Sequence, residues 1–141
     1  MNGVLVVGAG LAGTRCAETL RANGYDRPVT VVGAERSDPY ERPALSKEIL
    51  SEERTPEHAL LRPPGWWAER SIELRTGETV EAIDAVRHVA VVAGRELGWD
   101  HLMLATGARP RLLPGFPPSA HVLRTDGGGR SGRRRRPDDP G

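Results

Sequence analysis

Three glycines near the start, Gly8, Gly10 and Gly13, leave this chain few ways to fold there. Before them runs Gly3-Val4-Leu5-Val6-Val7, short, apolar and β-branched, the pattern of a strand. After them Ala12, Cys16 and Leu20 recur every fourth residue, which predicts a helix with one apolar stripe, stopped by Asn23-Gly24. Val29-Thr30-Val31-Val32 is a second strand, apolar enough to be covered on both faces, and it closes on Gly33-Ala34-Glu35. Strand, glycine turn, helix, strand, acid is the order of parts in a dinucleotide-binding βαβ unit.

Each glycine has a physical task in that unit. Gly8 permits the tight turn out of the first strand. Gly10 removes the Cβ that would hold the backbone away from a pyrophosphate, and Gly13 lets the helix lie close against the strand. The unpaired N–H groups of the helix start, over Ala9, Leu11 and Ala12, then face the phosphates, with the helix dipole favouring their charge. Glu35 falls about twenty residues past the last glycine, where a carboxylate accepts hydrogen bonds from a ribose diol. An acid at that place disfavours a 2′-phosphate. The motif leaves open whether the dinucleotide is FAD or NAD.

Composition removes several other functions. The chain has 141 residues, room for one ordinary domain, and a net charge of +1, so no overall field draws it to nucleic acid or to a membrane. Cys16 is the sole cysteine, which rules out an intramolecular disulfide and a cysteine-based metal site. On the stripe of its helix it reads as a small buried hydrophobe rather than a redox thiol. No apolar run approaches about 18 residues and no leader pattern opens the chain, so a cytoplasmic protein is expected.

Beyond Glu35, Pro43 suits the first turn of a short amphipathic helix with Leu45 and Ile49 on one face. Residues 52–64 read as loop, and Gly65-Trp66-Trp67-Ala68-Glu69-Arg70 as one or two helical turns whose tryptophans pack rather than touch substrate. Ile72 to Arg75 alternates as a strand does. Three short β runs follow, Thr79 to Ile83, Arg87 to Val92 and Glu96-Leu97, an antiparallel meander. His101 to Ala105 returns as a parallel-type strand ending in Thr106-Gly107. His88 and His101 alternate with apolar neighbours inside strands, and neither pattern supports a metal site.

Taken together, Val6-Val7-Gly8-Ala9-Gly10-Leu11-Ala12-Gly13, then Pro39-Tyr40-Glu41-Arg42-Pro43-Ala44-Leu45-Ser46-Lys47, then Leu104-Ala105-Thr106-Gly107-Ala108-Arg109-Pro110-Arg111 define a sequence signature. In that order and at those distances they resemble the N-terminal part of the FAD-dependent, NADH-using ferredoxin reductases of bacterial oxygenase systems, the putidaredoxin and rubredoxin reductase type. The resemblance runs from Gly3 to about Thr125, and its specific part is the Arg-Pro-x-Leu-Ser-Lys block at Arg42 to Lys47. The other two motifs are shared across the wider pyridine nucleotide-disulfide oxidoreductase superfamily. Disulfide reductases of that superfamily carry a redox-active cysteine pair in the region of this block, and here it has none. The acceptor implied is therefore a one-electron partner, a ferredoxin-type iron–sulfur protein, with NADH as the donor.

The resemblance implies an α/β fold, a Rossmann-type FAD-binding domain whose parallel sheet is interrupted by the meander. It implies that Gly8 to Gly13 with Glu35 hold the ADP half of FAD. Arg42 would reach towards the pyrophosphate, and Lys47 would stand near the edge of the flavin that receives hydride, the position closest to catalysis. A cation there favours an anionic reduced flavin. Val80 would meet the adenine through its backbone. Ala105, Thr106, Gly107 and Arg109 would close over the cofactor at the carboxyl end of the returning strand.

The chain also departs from that family. Its members run to more than twice this length, with an NADH-binding domain that has its own glycine fingerprint and a late Gly-Asp segment at the flavin's ribityl chain. Neither feature occurs in these 141 residues. Residues 1–125 are expected to form a partial, incomplete FAD-binding domain. From Asp126 to Gly141 the chain is Arg-, Gly- and Pro-rich and is expected to be a disordered tail. Its composition is that of an out-of-frame or prematurely ended GC-rich gene. The sequence thus admits two readings, a truncated reductase of this type and an inactive or non-catalytic FAD- or nucleotide-binding fragment. A nucleic-acid role for Arg133 to Arg136 lacks interleaved aromatics.

Overall fold

A computed structural model describes residues 2–45 and 56–108. Lys47, Ile49, Arg109 and the tail lie outside them. Among the described residues seven strands and three α-helices appear in the order β1 (Val4–Val7), α1 (Leu11–Ala22), β2 (Val29–Gly33), α2 (Arg42–Leu45), α3 (Trp66–Glu69), β3 (Ile72–Thr76), β4 (Val80–Asp84), β5 (Val89–Val92), β6 (Arg95–Gly98) and β7 (His101–Leu104), with a 3₁₀ turn at Pro56–Ala59.

Three apolar runs and the alternating β3 build one parallel sheet in the order β3-β2-β1-β7. Val4 to Val7 pair with Val29 to Val32 on one side and with His101 to Leu104 on the other. β1 is therefore central and buried along its whole length, which is why it reads as a continuous hydrophobic run. The chain leaves β1 towards β2, while β7 lies on the opposite side. The crevice at the carboxyl ends of β1 and β7 is thus the switch point at which doubly wound sheets take ligands.

The meander forms a second, three-stranded antiparallel sheet, β4-β5-β6. Side-chain alternation along β1 and β2 sends residues to two cores. Val4, Val6, Val29 and Val31 face α1 and α3, where Ala17, Trp67 and Ile72 complete one cluster. Leu5, Val7 and Val32 face the meander and meet Ala90, Val92 and Trp99. The result is three layers, helices on one face of the parallel sheet and the small sheet on the other.

Three expectations are corrected here. The buried face of α1 is Gly13, Thr14 and Ala17, while Ala12 is exposed and Cys16 and Leu20 only flank the core. Close approach of Gly13 to β1 sets the inward face at Gly13, Thr14 and Ala17, which leaves Ala12 outside and Cys16 and Leu20 at the edge. His88 is in the turn between β4 and β5 at φ 54°, stacked on Trp99 with ring centroids 4.3 Å apart, rather than inside a strand. Residues 56–64 are more ordered than a plain loop, with the 3₁₀ turn and a bridge between Tyr40 and Leu60. Among the described residues no helix is long and apolar enough to cross a membrane, and no His, Cys, Asp and Glu cluster has the makings of a metal site.

Candidate functional site

The carboxyl ends of β1, β2 and β7 open into a groove of ≈ 600 Å³. Its floor is the glycine turn. Gly8 has φ 112°, and a Cβ there would meet the Ala105 carbonyl oxygen at 2.1 Å. Two independent constraints, the turn and the neighbouring strand end, therefore require glycine. A Cβ on Gly13 would sit 1.9 Å from the Gly8 carbonyl oxygen and 3.2 Å from a Val6 methyl, so helix and strand touch backbone to backbone. Gly10 is different: a Cβ there would meet nothing within 4 Å. The fold leaves the space above Gly10 open, and that space is the groove.

Gly10 also caps α1. Its carbonyl accepts the Thr14 N–H at 2.9 Å, and no side chain caps the helix start. The first N–H groups of the helix, beginning with Leu11 and Ala12, therefore have no intrahelical partner and stand at the groove with the positive end of the helix dipole. Hydrogen bonds fix the entry to the turn on both sides of β1, Gly8 N–H to the Val32 carbonyl at 2.8 Å and Ala105 N–H to the Val7 carbonyl at 2.8 Å.

The end of β2 supplies the acid. Gly33 fits because Ala9 crosses it: a Cβ on Gly33 would stand 2.6 Å from that of Ala9. The backbone then carries Glu35 to the groove wall. The Glu35 carbonyl accepts the Gly77 N–H at 2.7 Å and the Gly33 carbonyl accepts the Glu78 N–H at 3.1 Å, which ties the β3–β4 junction to this corner. Thr79 and Val80 line the same groove as a consequence. Both carboxylate oxygens of Glu35 are engaged. Oε2 accepts the Tyr40 hydroxyl at 2.7 Å, and Oε1 accepts an Arg42 guanidinium N–H at 2.7 Å.

The structure thus brings Gly8, Ala9, Gly10, Leu11, Ala12, Glu35, Arg42, Val80, Ala105, Thr106 and Gly107 to one groove. Gly13 lies beneath it as packing. Arg42 stands on Glu35, whereas the family resemblance directs it towards a pyrophosphate. Lys47 and Arg109 fall outside the described residues. Sequence reasoning missed Tyr40 and Gly33 as parts of the site. Tyr40 sits in the specific block but no spacing rule links it to Glu35, whereas Gly33 at the end of a β-branched strand is itself a signal of close backbone approach. Cys16 lies away from the groove, half-buried on α1, where burial pushes its thiol above the ordinary value and keeps it protonated. A wider depression of ≈ 850 Å³ beside α1, between Cys16, Tyr25 and Met103, shares no part of the glycine turn except Ala12.

Comparison with known proteins agrees with this geometry. The family model described as pyridine nucleotide-disulphide oxidoreductase matches residues 2–132. Rhodocoxin reductase of Rhodococcus erythropolis is 40% identical over 129 residues, covering 88% of this chain and 30% of that protein. The ferredoxin--NAD(+) reductase component of the anthranilate 1,2-dioxygenase system of Burkholderia cepacia is 41% identical over 125 residues, 86% of this chain and 31% of that protein. Among solved structures, putidaredoxin reductase in covalent complex with putidaredoxin superposes with a TM-score of 0.77 at 41% identity, over 80% of this chain and 27% of that one. The chain spans about 30% of the length of the curated relatives it matches. With the family model matched over residues 2–132, the span that holds the glycine turn and Glu35, the chain belongs to the pyridine nucleotide-disulphide oxidoreductase family.

Proposed function

We propose that this chain is the FAD-holding part of a cytoplasmic NADH-dependent ferredoxin reductase, and that its groove takes the ADP half of the cofactor. One observation carries the reading. The open space over Gly10 and the engaged carboxylate of Glu35 face the same groove, so amides for a diphosphate and an acceptor for a sugar diol share one site. The residues present suit that group. A carboxylate has about four lone-pair positions, and Tyr40 and Arg42 occupy one on each oxygen, which leaves capacity for two hydroxyls.

In this reading the helix-start amides bind phosphate oxygens, and the missing Cβ at Gly10 allows backbone approach. Glu35 orients the sugar. Val80 presents backbone to the adenine, and Ala105, Thr106 and Gly107 flank the cofactor at the end of β7. Lys47 and Arg109 are assigned by the family pattern alone, Lys47 as the cation nearest the flavin ring. Bound FAD supplies two-electron acceptance and one-electron release. The relatives' names specify ferredoxin and NAD(+), and the proposed donor and acceptor follow them. The chain spans about 30% of those proteins, and the binding step is the part of their activity assigned to these 141 residues.

The test is flavin binding by the 141-residue chain, followed by quenching of FAD fluorescence, with the Glu35→Ala variant in parallel. Binding is expected and should weaken on the order of tenfold in the variant, the loss of hydrogen bonds to a charged group. Unchanged affinity removes the ribose assignment. An NADH-dependent dye-reduction assay should show no turnover by this chain even with FAD present.

A further inference from the structure

We infer that Tyr40 is a positioning residue for sugar recognition, acting through Glu35 rather than by touching the ligand. The inference rests on the proposed FAD-binding reading and adds the device that makes Glu35 selective for a ribose diol. Glu35 lies just past β2 with a quarter of its side chain exposed, so nothing in the strand itself fixes its rotamer. Two groups do. Arg42 approaches from the start of α2, but its own side chain is nearly half exposed, and so exposed a pair contributes little orientation. Tyr40 is better held.

Its backbone is fastened to a distant segment on both sides. The Glu41 N–H donates to the Ala59 carbonyl at 2.7 Å, and the Leu61 N–H donates to the Pro39 carbonyl at 2.8 Å, flanking the Tyr40–Leu60 bridge. Ala59 is itself in the core and Pro39 is buried. The tyrosine ring is therefore a strut between a fixed backbone and Glu35 Oε2, and at 2.7 Å its O–H has the short contact of a charge-assisted hydrogen bond. It removes the rotamer freedom that the carboxylate would otherwise lose on binding a diol. The outcome is selectivity: a ligand with both ribose hydroxyls meets an acceptor already aimed at it, and a ligand without them gains nothing from the strut.

The experiment compares ADP with 2′,3′-dideoxy-ADP by calorimetric titration of the full 141-residue chain and its Tyr40→Phe variant. Phenylalanine keeps the ring and removes the hydroxyl that donates to Glu35. Wild type is expected to prefer ADP, and in Tyr40→Phe the affinity for ADP should fall roughly 3- to 10-fold. Affinity for the dideoxy nucleotide should stay within twofold. A packing role would weaken both ligands alike, and that result overturns the inference, as does an unchanged ADP affinity. The double variant Glu35→Ala, Tyr40→Phe should bind ADP no more weakly than Glu35→Ala alone. An additive loss also overturns it, because Tyr40 would then act independently of Glu35. If wild type binds neither nucleotide, the proposed function itself fails and the inference falls with it. If wild type discriminates and Tyr40→Phe does so equally, only the inference fails.

Discussion

Gly10 and Gly13 stand three residues apart in one turn and are needed for opposite reasons. Gly13 is a packing glycine, since any Cβ would enter the Gly8 carbonyl. Gly10 is an access glycine with open space above it and an ordinary φ of −78°. Alanine substitution separates the two roles. Gly13→Ala should destabilise the chain by about 1–3 kcal/mol, the cost of overpacking against backbone that has nowhere to move. Gly10→Ala should change stability by less than about 1 kcal/mol, mostly through a poorer helix cap. Yet it should abolish measurable FAD binding by placing a methyl in the space proposed for the diphosphate. Thermal unfolding and flavin titration of both variants check this, and equal stability losses would show that Gly10 is a structural glycine as well. At this scale the three glycines and Glu35 were legible because each leaves a positional signature in the sequence. Tyr40 was not, because its value comes from a hydrogen bond to a side chain five residues away, across a loop with no period to read.

Among elements, strands announced themselves more faithfully than the helix did. β1, β2 and β7 are bounded by glycine or polar breaks and carry residues that suit a covered sheet, so their runs fall within about a residue of the observed strands. For α1, period alone selected Ala12, Cys16 and Leu20, whereas the backbone contact of Gly13 with Gly8 fixes the inward face at Gly13, Thr14 and Ala17. A rule about hydrophobicity cannot see a contact that a glycine makes with backbone. The ends of β1 and β7 show a second contribution that pattern does not carry. The Asp100 carboxylate, just before β7, accepts the N–H of Gly3 at 2.9 Å and of Asn2 at 3.1 Å, clasping the entry to β1. Those backbone donors, Gly3 first, hold its pKa below the ordinary 3.8. A carboxyl whose folded pKa is depressed stabilises the fold fully above the unfolded value and loses that contribution as pH falls through the folded one. Asp100→Ala should therefore lower the melting temperature at pH 7, and the gap to wild type should close progressively below pH 3.8. A gap that persists undiminished in acid would mean the aspartate acts by packing instead of by charge.

Across the whole molecule, the groove depends on two sheets that share no strand. Its floor and acid come from the parallel sheet, but Thr79 and Val80 belong to the approach and first strand of the meander, and the second core packs the two sheets together beside the backbone bonds that Glu35 and Gly33 accept from Gly77 and Glu78. Trp99 is the largest side chain in that core, 7% exposed, stacked on His88 on one side and clustered with Leu5, Val7 and Val32 of the parallel sheet on the other. Val80 packs against the same cluster, so the meander's contribution to the site and its attachment to the fold share these contacts. Trp99→Ala removes that wedge, at a typical cost of about 3–5 kcal/mol. A domain of this size has a total stability of about 5–15 kcal/mol, so the variant should lie at or near the edge of unfolding at 25 °C. Trp99→Phe keeps an aromatic wedge and the stack on His88, and should remain folded with a smaller loss. FAD titration then distinguishes two forms of the molecule. If the meander is an integral wall, Trp99→Phe should bind FAD more weakly in proportion to its lost stability, because loosening that core displaces Val80 from Glu35. If affinity is unchanged while stability drops, the parallel sheet alone makes the site, and the meander serves as a cover over its far face.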